Sequence, residues 1–464
     1  MTNQNKSRRQ SFRPDINLRI AEWATISYVA VVAVAGGASR GDDFSQTVVR
    51  LTAIVTAALI LILRPGAINR RDALVPLGFL AAIAVLILIQ LVPLPPVVWT
   101  QLPGRAFSVH SYELASIPLN WHPISLTPDQ GLNTTLSLLP VACALTALSA
   151  LPKARSQAAL ALVIVAVASS LTGLFQLGSD FSAGLPDGFF ANRNHQALLL
   201  ASAIPALGLV ISKQRVSFVL DVVAAALVIF LVLLIALTGS RSGILTTSIG
   251  MCGGIYFLTA RITARSSLRA AIVGLAGLAI VTAVGAFAYL SGKLLVFQRL
   301  GSINSSEDTR IRVLQPLFDM VAAYFPIGSG FGSFDSAFRQ FERVQDLNFD
   351  YFNHAHNDFI EAAIEGGLPA IFLMVLFAIW WARSSFIIWR AARDIDFDLA
   401  RLGTLISGMI LLASLLDYPA RTPLIACLLA LACYWMHYVS ATSYIMSGNG
   451  VLAASVLEMD TTEK

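Results

Sequence analysis

Residues 216–238 read VSFVLDVVAAALVIFLVLLIALT, with one charged side chain, Asp221. A helix rises about 1.5 Å per residue, so a run of this length crosses the ~30 Å hydrocarbon core of a bilayer. Lys213 and Arg215 stand before it and Arg241 after it. Outward from this stretch, similar runs recur at 20–37, 48–63, 73–93, 131–151, 158–178, 195–212, 243–260, 270–290, 367–389, 402–418 and 422–446. The composition agrees: 56% hydrophobic, 13% charged and a mean hydropathy of +0.71, where a soluble domain carries roughly 25% charged residues. The expected fold is all-α, a polytopic integral membrane helical bundle of about 12 transmembrane helices with one large outer loop of short helices.

Lys and Arg set the orientation. With the N-terminus inside, most of the 32 basic residues fall in cytoplasmic loops and tails. The chain then divides into a cytoplasmic N-terminal tail (1–19), transmembrane helices one to nine (20–290) and a large outer loop (291–366). Helices ten to twelve (367–446) and a cytoplasmic C-terminal tail (447–464) follow. Ala33-Val34-Ala35 resembles a signal-peptide cleavage site, but the many spans that follow favour an uncleaved first helix. Cys143, Cys252, Cys427 and Cys433 all fall in predicted spans without CxxC spacing, so they read as packing residues. The formal charge of +5 reports topology, and no nucleic-acid motif is present.

Two outer loops are long enough to fold. The first, 94–130, is rich in Pro and holds Trp99 and Trp121, which suits the membrane surface. In the second, Ser305-Ser306-Glu307-Asp308 offers a helix start, and Ile311, Leu314, Leu317, Phe318, Val321 and Tyr324 recur at helical spacing, with Pro316 expected to kink or limit the run. Phe325 to Gly332 is a glycine-rich turn without the context of a nucleotide loop.

The most chemical stretch is Phe352-Asn353-His354-Ala355-His356-Asn357-Asp358-Phe359, continued by Glu361 and Glu365-Gly366-Gly367. Two imidazoles at a membrane boundary are poised for proton chemistry near neutral pH. Asn353 is the expected helix cap and Gly366-Gly367 the expected end. Residues two apart on a helix point about 200° apart, so His354 and His356 converge only in extended or capping backbone. Arginines gather on the same side: Arg193 within Asn192-Arg193-Asn194-His195, Arg241 in a short turn, and Arg310 in the loop helix. Charges at membrane depth tend to face polar cavities, and guanidinium binds phosphate oxygens bidentately.

Phe190-Ala191-Asn192-Arg193-Asn194, Ser240-Arg241, Arg310 with Pro326 to Gly330, and His356-Asn357 followed by Glu365-Gly366-Gly367 resemble, in that order, the O-antigen ligase/polymerase superfamily. The resemblance covers about 120–440. It implies a bacterial inner-membrane glycosyltransferase that moves glycan from undecaprenyl diphosphate to an acceptor at the periplasmic face. The acceptor would be another lipid-linked glycan, lipid A-core or a protein hydroxyl, with membrane lipids around it. On this resemblance His356 is the catalytic histidine and general base. On the same resemblance Arg241, Arg310 and Arg193 bind the donor diphosphate, with His354, Asn357 and Asn194 in support. No cofactor is implied. No DxD-like outer carboxylate cluster offers a metal site, so the chemistry is expected to be metal-independent.

Bland roles compete at each position. His356 and Asn357 could cap a helix, Arg241 could reach lipid headgroups, and His195 and His354 could be structural. Asp221, Asp417 and His437 lie in or near spans and could serve ion relay; Trp380-Trp381 and Trp389 read as packing aromatics. Two other classes remain open: a membrane transporter, although no repeated half is visible, and a metal-dependent hydrolase, because His354-Ala355-His356-Asn357-Asp358 begins like an HxHxD motif.

Overall fold

The computed structural model describes residues 15–41, 43–67, 70–177, 186–262, 312–344 and 352–439. The first half contains α1 (Ile16–Ala35), α2 (Phe44–Leu63), α3 (Leu74–Gln90), the short α4 (Pro96–Trp99) and α5 (Ala106–Leu114), then α6 (Pro128–Leu136), α7 (Leu139–Ala150) and α8 (Pro152–Leu177). The second half contains α9 (Arg193–Ser212), α10 (Phe218–Thr238), α11 (Arg241–Ile262), α12 (Leu314–Tyr324), α13 (Phe334–Phe338), α14 (Asp358–Arg390), α15 (Ile395–Ser414) and α16 (Pro423–Val439). Among the described residues there are no strands, only an isolated bridge between Leu94 and His122.

Nine helical segments among the described residues are long and apolar enough to cross a membrane. Of the other predicted spans, 402–418 overlaps α15 as far as Ser414, and that helix also carries Asp396, Asp398 and Arg401. Span 422–446 corresponds to the shorter α16, and 270–290 lies outside the described residues, as do Ser305 to Arg310.

Helix starts follow from short polar side chains. Asp15 accepts from Leu18 N, Asp43 from Ser45 N, Asn192 from Asn194 N, and Ser240 Oγ from Gly243 N. Each satisfies an N–H that the first turn leaves without a partner. Pro316 falls in the first turn of α12, where it displaces no intrahelical bond, so the helix needs no kink there.

α9 is the axis of the bundle. Every residue from His195 to Leu209 is buried, and the helix packs on α8, α10, α11 and α15. An apolar surface all round suits such a position. Its seam with α11 is tight enough to need glycine. A Cβ on Gly250 would lie 2.6 Å from the Ala201 carbonyl oxygen, and one on Gly208 2.8 Å from that of Gly254. Small residues let membrane helices approach this closely.

One end of the bundle collects the polar connections. Leu424 N donates to Gly36 O, Leu126 N to Ser329 O, and Asn357 Nδ2 to Leu415 O. At the opposite end, Arg155 faces Asp396, Arg393 bonds Thr259, and His437 meets the Arg71 carbonyl. Trp381 and Trp389 donate to Ser407 and Thr404 on α15, so they fasten α14 to its neighbour.

Candidate active site

The histidine segment enters the polar end in non-helical backbone. Asn357, not Asn353, caps α14: its Oδ1 accepts from Phe359 N and Ile360 N, both at 3.0 Å. The cap shifts because Glu361 reaches back from the first turn. It accepts from Ala355 N and faces His354 Nδ1, each at 2.8 Å, and holds 354–355 outside the helix. His356 has φ +50°, a left-handed conformation uncommon for a residue other than glycine, in which such backbone gathers at functional sites.

A second loop, 415–421, locks onto this one. His356 Nδ1 lies 3.1 Å from Asp417 Oδ1, and Asp358 Oδ2 accepts from Ser414 Oγ and Ala420 N. The buried Asp417 also accepts from Asn192 Nδ2 at 3.2 Å, Asn194 Nδ2 at 2.5 Å and Tyr418 N at 3.0 Å. Every one of these partners is a donor to the carboxylate, so His356 donates its Nδ1–H as well, and in the neutral ring the lone pair then falls on Nε2. The Tyr418 ring stands 4.4 Å from His354, 4.9 Å from His356 and 5.2 Å from His195, measured between ring centres.

The loop that delivers Asn192 is itself fastened to α8. Gln176 bonds Gly188 on both sides, and Phe189 N donates to Ser169 Oγ. Burial pushes Asp187 in this loop up to about 6.

Arg421 is the electrostatic centre of the neighbouring cluster. Its guanidinium lies 3.0 Å from Glu365, 3.2 Å from Glu361 and 3.8 Å from Asp358. Burial alone would lower its pKa, but these three carboxylates more than reverse that, so the net shift is upward. Glu365 continues the connection: its Oε1 accepts from Gly332 N and Phe334 N, and Gln90 Nε2 donates to its carbonyl. The glycine-rich turn is thereby pinned to α14. The helix breaks at Gly367 (φ +58°, ψ −148°) as the sequence led one to expect, and a Cβ there would sit 2.3 Å from the Pro326 carbonyl oxygen.

A cavity of about 970 Å³ opens beside these groups. Its polar lining includes His354, Arg421, Arg40, Arg50, Gln130 and Asn133; its apolar wall comes from α3, α14, α15 and α16. His356, at 23% side-chain exposure, is not among the residues that line it, though its neighbours His354 and Asp358 are.

Of the residues singled out from the sequence, His354, His356, Asn357 and Asn194 come together around the 415–421 loop. Arg193 and Arg241 are the first residues of α9 and α11; neither lines the cavity, and Arg241 is exposed. Arg310 lies outside the described residues. Sequence reading placed Glu361 and Glu365 in the histidine segment without giving them a role, missed Arg421 and Tyr418, and weighed Asp417 only as an ion relay. The available signal was Asp417-Tyr418-Pro419-Ala420-Arg421, a charged island between two apolar runs. Among the described residues no group of three or more His, Cys, Asp or Glu is arranged to hold a metal ion.

No curated protein matches the chain. Residues 225–375 match a family model described as O-antigen ligase. The matched segment runs from within α10 to within α14, and holds His354, His356, Glu361 and Glu365 but neither Asn192 nor Asp417. That match, on a membrane-type helical bundle, supports membership of the chain in the O-antigen ligase/polymerase superfamily.

Proposed function

We propose that this protein transfers or polymerises glycan from undecaprenyl diphosphate at the periplasmic face of the bacterial inner membrane, with His356 as general base. The observation that carries the reading is the 3.1 Å contact between His356 Nδ1 and Asp417. A buried carboxylate fixed by two asparagines holds the ring in one tautomer, with Nε2 free to take a proton.

The acceptor hydroxyl loses its proton to Nε2 as its oxygen attacks the anomeric carbon. The bond to the diphosphate oxygen breaks, and the departing lipid diphosphate carries the electron pair. Arginines stabilise that gathering charge; Arg241, Arg310 and Arg193 remain assigned to it, with no metal required. Direct displacement inverts the anomeric centre. In this reading the polar end of the bundle, with the loop 291–366, faces the periplasm, and both termini face the cytoplasm. The acceptor is a second lipid-linked glycan or lipid A-core.

The test uses membranes of a strain lacking the native enzyme, supplied with each variant. His356→Ala should accumulate lipid-linked glycan while the protein still inserts, with transfer down roughly 10²–10⁴-fold. Retention of more than about a third of wild-type transfer, far short of that range, would assign the base elsewhere. Arg241→Lys keeps the charge but loses the planar fork, and should also impair transfer.

A further inference from the structure

Arg50 stands in the second turn of α2, inside a segment long and apolar enough to cross the membrane, and lines the cavity. Its only hydrogen-bond partner among the described residues is neutral: Nη1 donates to Asn133 Oδ1. Its Nε is buried without a partner. Arg64, Arg155, Arg401 and Arg421 face Asp15, Asp396, Asp398 and Glu365 in turn, and the buried Arg105, which faces no acid among the described residues, donates instead to the Pro103, Ile124 and Gly328 carbonyls. Arg421 lines the same cavity, but three carboxylates already surround it, so its charge is spent within the protein. Arg50 has no carboxylate within ion-pair distance among the described residues.

A cation at membrane depth without a counter-ion is costly, and such groups face cavities that bring the missing charge. The cavity wall that continues from Arg50 is hydrocarbon and aromatic: Phe79, Leu80 and Ile83 of α3 across from Met374 and Phe377 of α14. Phe79 and Phe377 meet edge to face, 5.4 Å between centres. A ligand that satisfies both ends has an anionic head and a long apolar tail. His354 lines the same cavity, so the head lies in the chamber that the histidine segment borders.

We infer that Arg50, positioned by Asn133, binds the phosphate of the polyprenyl donor, whose tail lies along the α3–α14 wall. The assignment rests on the proposed transfer reaction for the identity of the lipid, and it adds a head-group residue from the first quarter of the chain, outside the matched segment 225–375.

Binding to purified protein in detergent tests it, with undecaprenyl diphosphate, neutral undecaprenol and phosphatidylglycerol as probes. Loss of a hydrogen-bonded charge should weaken diphosphate binding by roughly 10- to 100-fold in Arg50→Gln. Undecaprenol should bind Arg50→Gln as it binds wild type, which also reports an intact fold. Asn133→Leu, which frees Arg50 from its positioning contact, should weaken the diphosphate less than Arg50→Gln. Unchanged diphosphate affinity in Arg50→Gln would overturn the assignment. Equal displacement of the diphosphate by phosphatidylglycerol would also overturn it, by making the site one for bulk anionic lipid. His356→Ala should bind the diphosphate like wild type, so a failure of the transfer reading shows in activity and a failure of this one in affinity.

Discussion

His356 and Asp417 are 61 positions apart in the chain and 3.1 Å apart in the fold. The carboxylate that fixes the imidazole thus comes from a different helix connection, and it is held in turn by Asn192 and Asn194 at the start of α9. Three loops from separate parts of the sequence meet on one buried side chain.

Asp417→Asn should therefore damage transfer without unfolding the protein. The amide keeps the shape but replaces one of the two oxygens with a donor, so either His356 or the Asn192–Asn194 pair loses its acceptor. Transfer should fall by at least about 10-fold, while donor binding stays near wild type. A steady-state assay paired with lipid binding checks this, and a loss confined to binding would rule out a positioning role.

Arg421→Ala removes the only guanidinium facing Asp358, Glu361 and Glu365 among the described residues. Breaking a buried ion pair from one side costs about 3–5 kcal/mol. The yield of folded protein and the melting temperature in detergent should both drop. Adding Glu361→Gln and Glu365→Gln to Arg421→Met should recover part of the loss. Wild-type melting of Arg421→Ala would mean that the cluster carries no stability.

Gly367→Ala places a Cβ against the Pro326 carbonyl in backbone that only glycine adopts easily. Strain of this kind costs about 1–3 kcal/mol. The glycine-rich turn should separate from α14, which proteolysis in the segment near Phe331 would reveal. Unaltered cleavage would show that the contact yields without penalty.

Asp187 gives a pH dependence with a definite sign. Its ordinary value is 3.8, and burial raises it to about 6 in the folded protein. Between these values the folded chain keeps a proton that the unfolded chain has released, so stability from this group is full below about pH 4 and lost as pH rises through about 6. Asp187→Asn removes the titration. Its melting temperature should exceed that of the wild type near about pH 8, with the gap closing near about pH 4. A gap independent of pH would place the cause elsewhere.

Sidedness is accessible through cysteine labelling in a Cys252→Ser background. Ser116 lies at the polar end and Asp394 at the opposite one. A membrane-impermeant maleimide applied from the periplasm should reach Ser116→Cys and miss Asp394→Cys; the reverse pattern would invert the proposed orientation.

Most of the helical layout could be read from hydropathy, because length and composition decide what a segment can do in hydrocarbon. The histidine segment was legible for the same reason: polar residues at a membrane boundary stand out. Asn357 was harder to identify as the cap because Asn353 satisfies the same local rule, and only the reach of Glu361 to Ala355 N decides between them. Asp417 and Arg421 were obscured by distance in the chain. Their partners lie more than 50 residues away, and nothing in local periodicity encodes that meeting. Arg50 sits near the start of the predicted span 48–63, where hydropathy gives it no role; only the fold puts Asn133 beside it.

The seating of His356 also limits how such proteins can be recombined. The stretch 225–375 carries the histidine, but the acid that seats it and the amides that seat the acid lie on either side of that stretch. A hybrid made by exchanging the matched segment alone would join one protein's histidine to another's frame. Exchange should preserve activity only when 190–195 and 415–421 travel with it, which makes the heritable unit of this chemistry a set of three separated pieces rather than one contiguous domain.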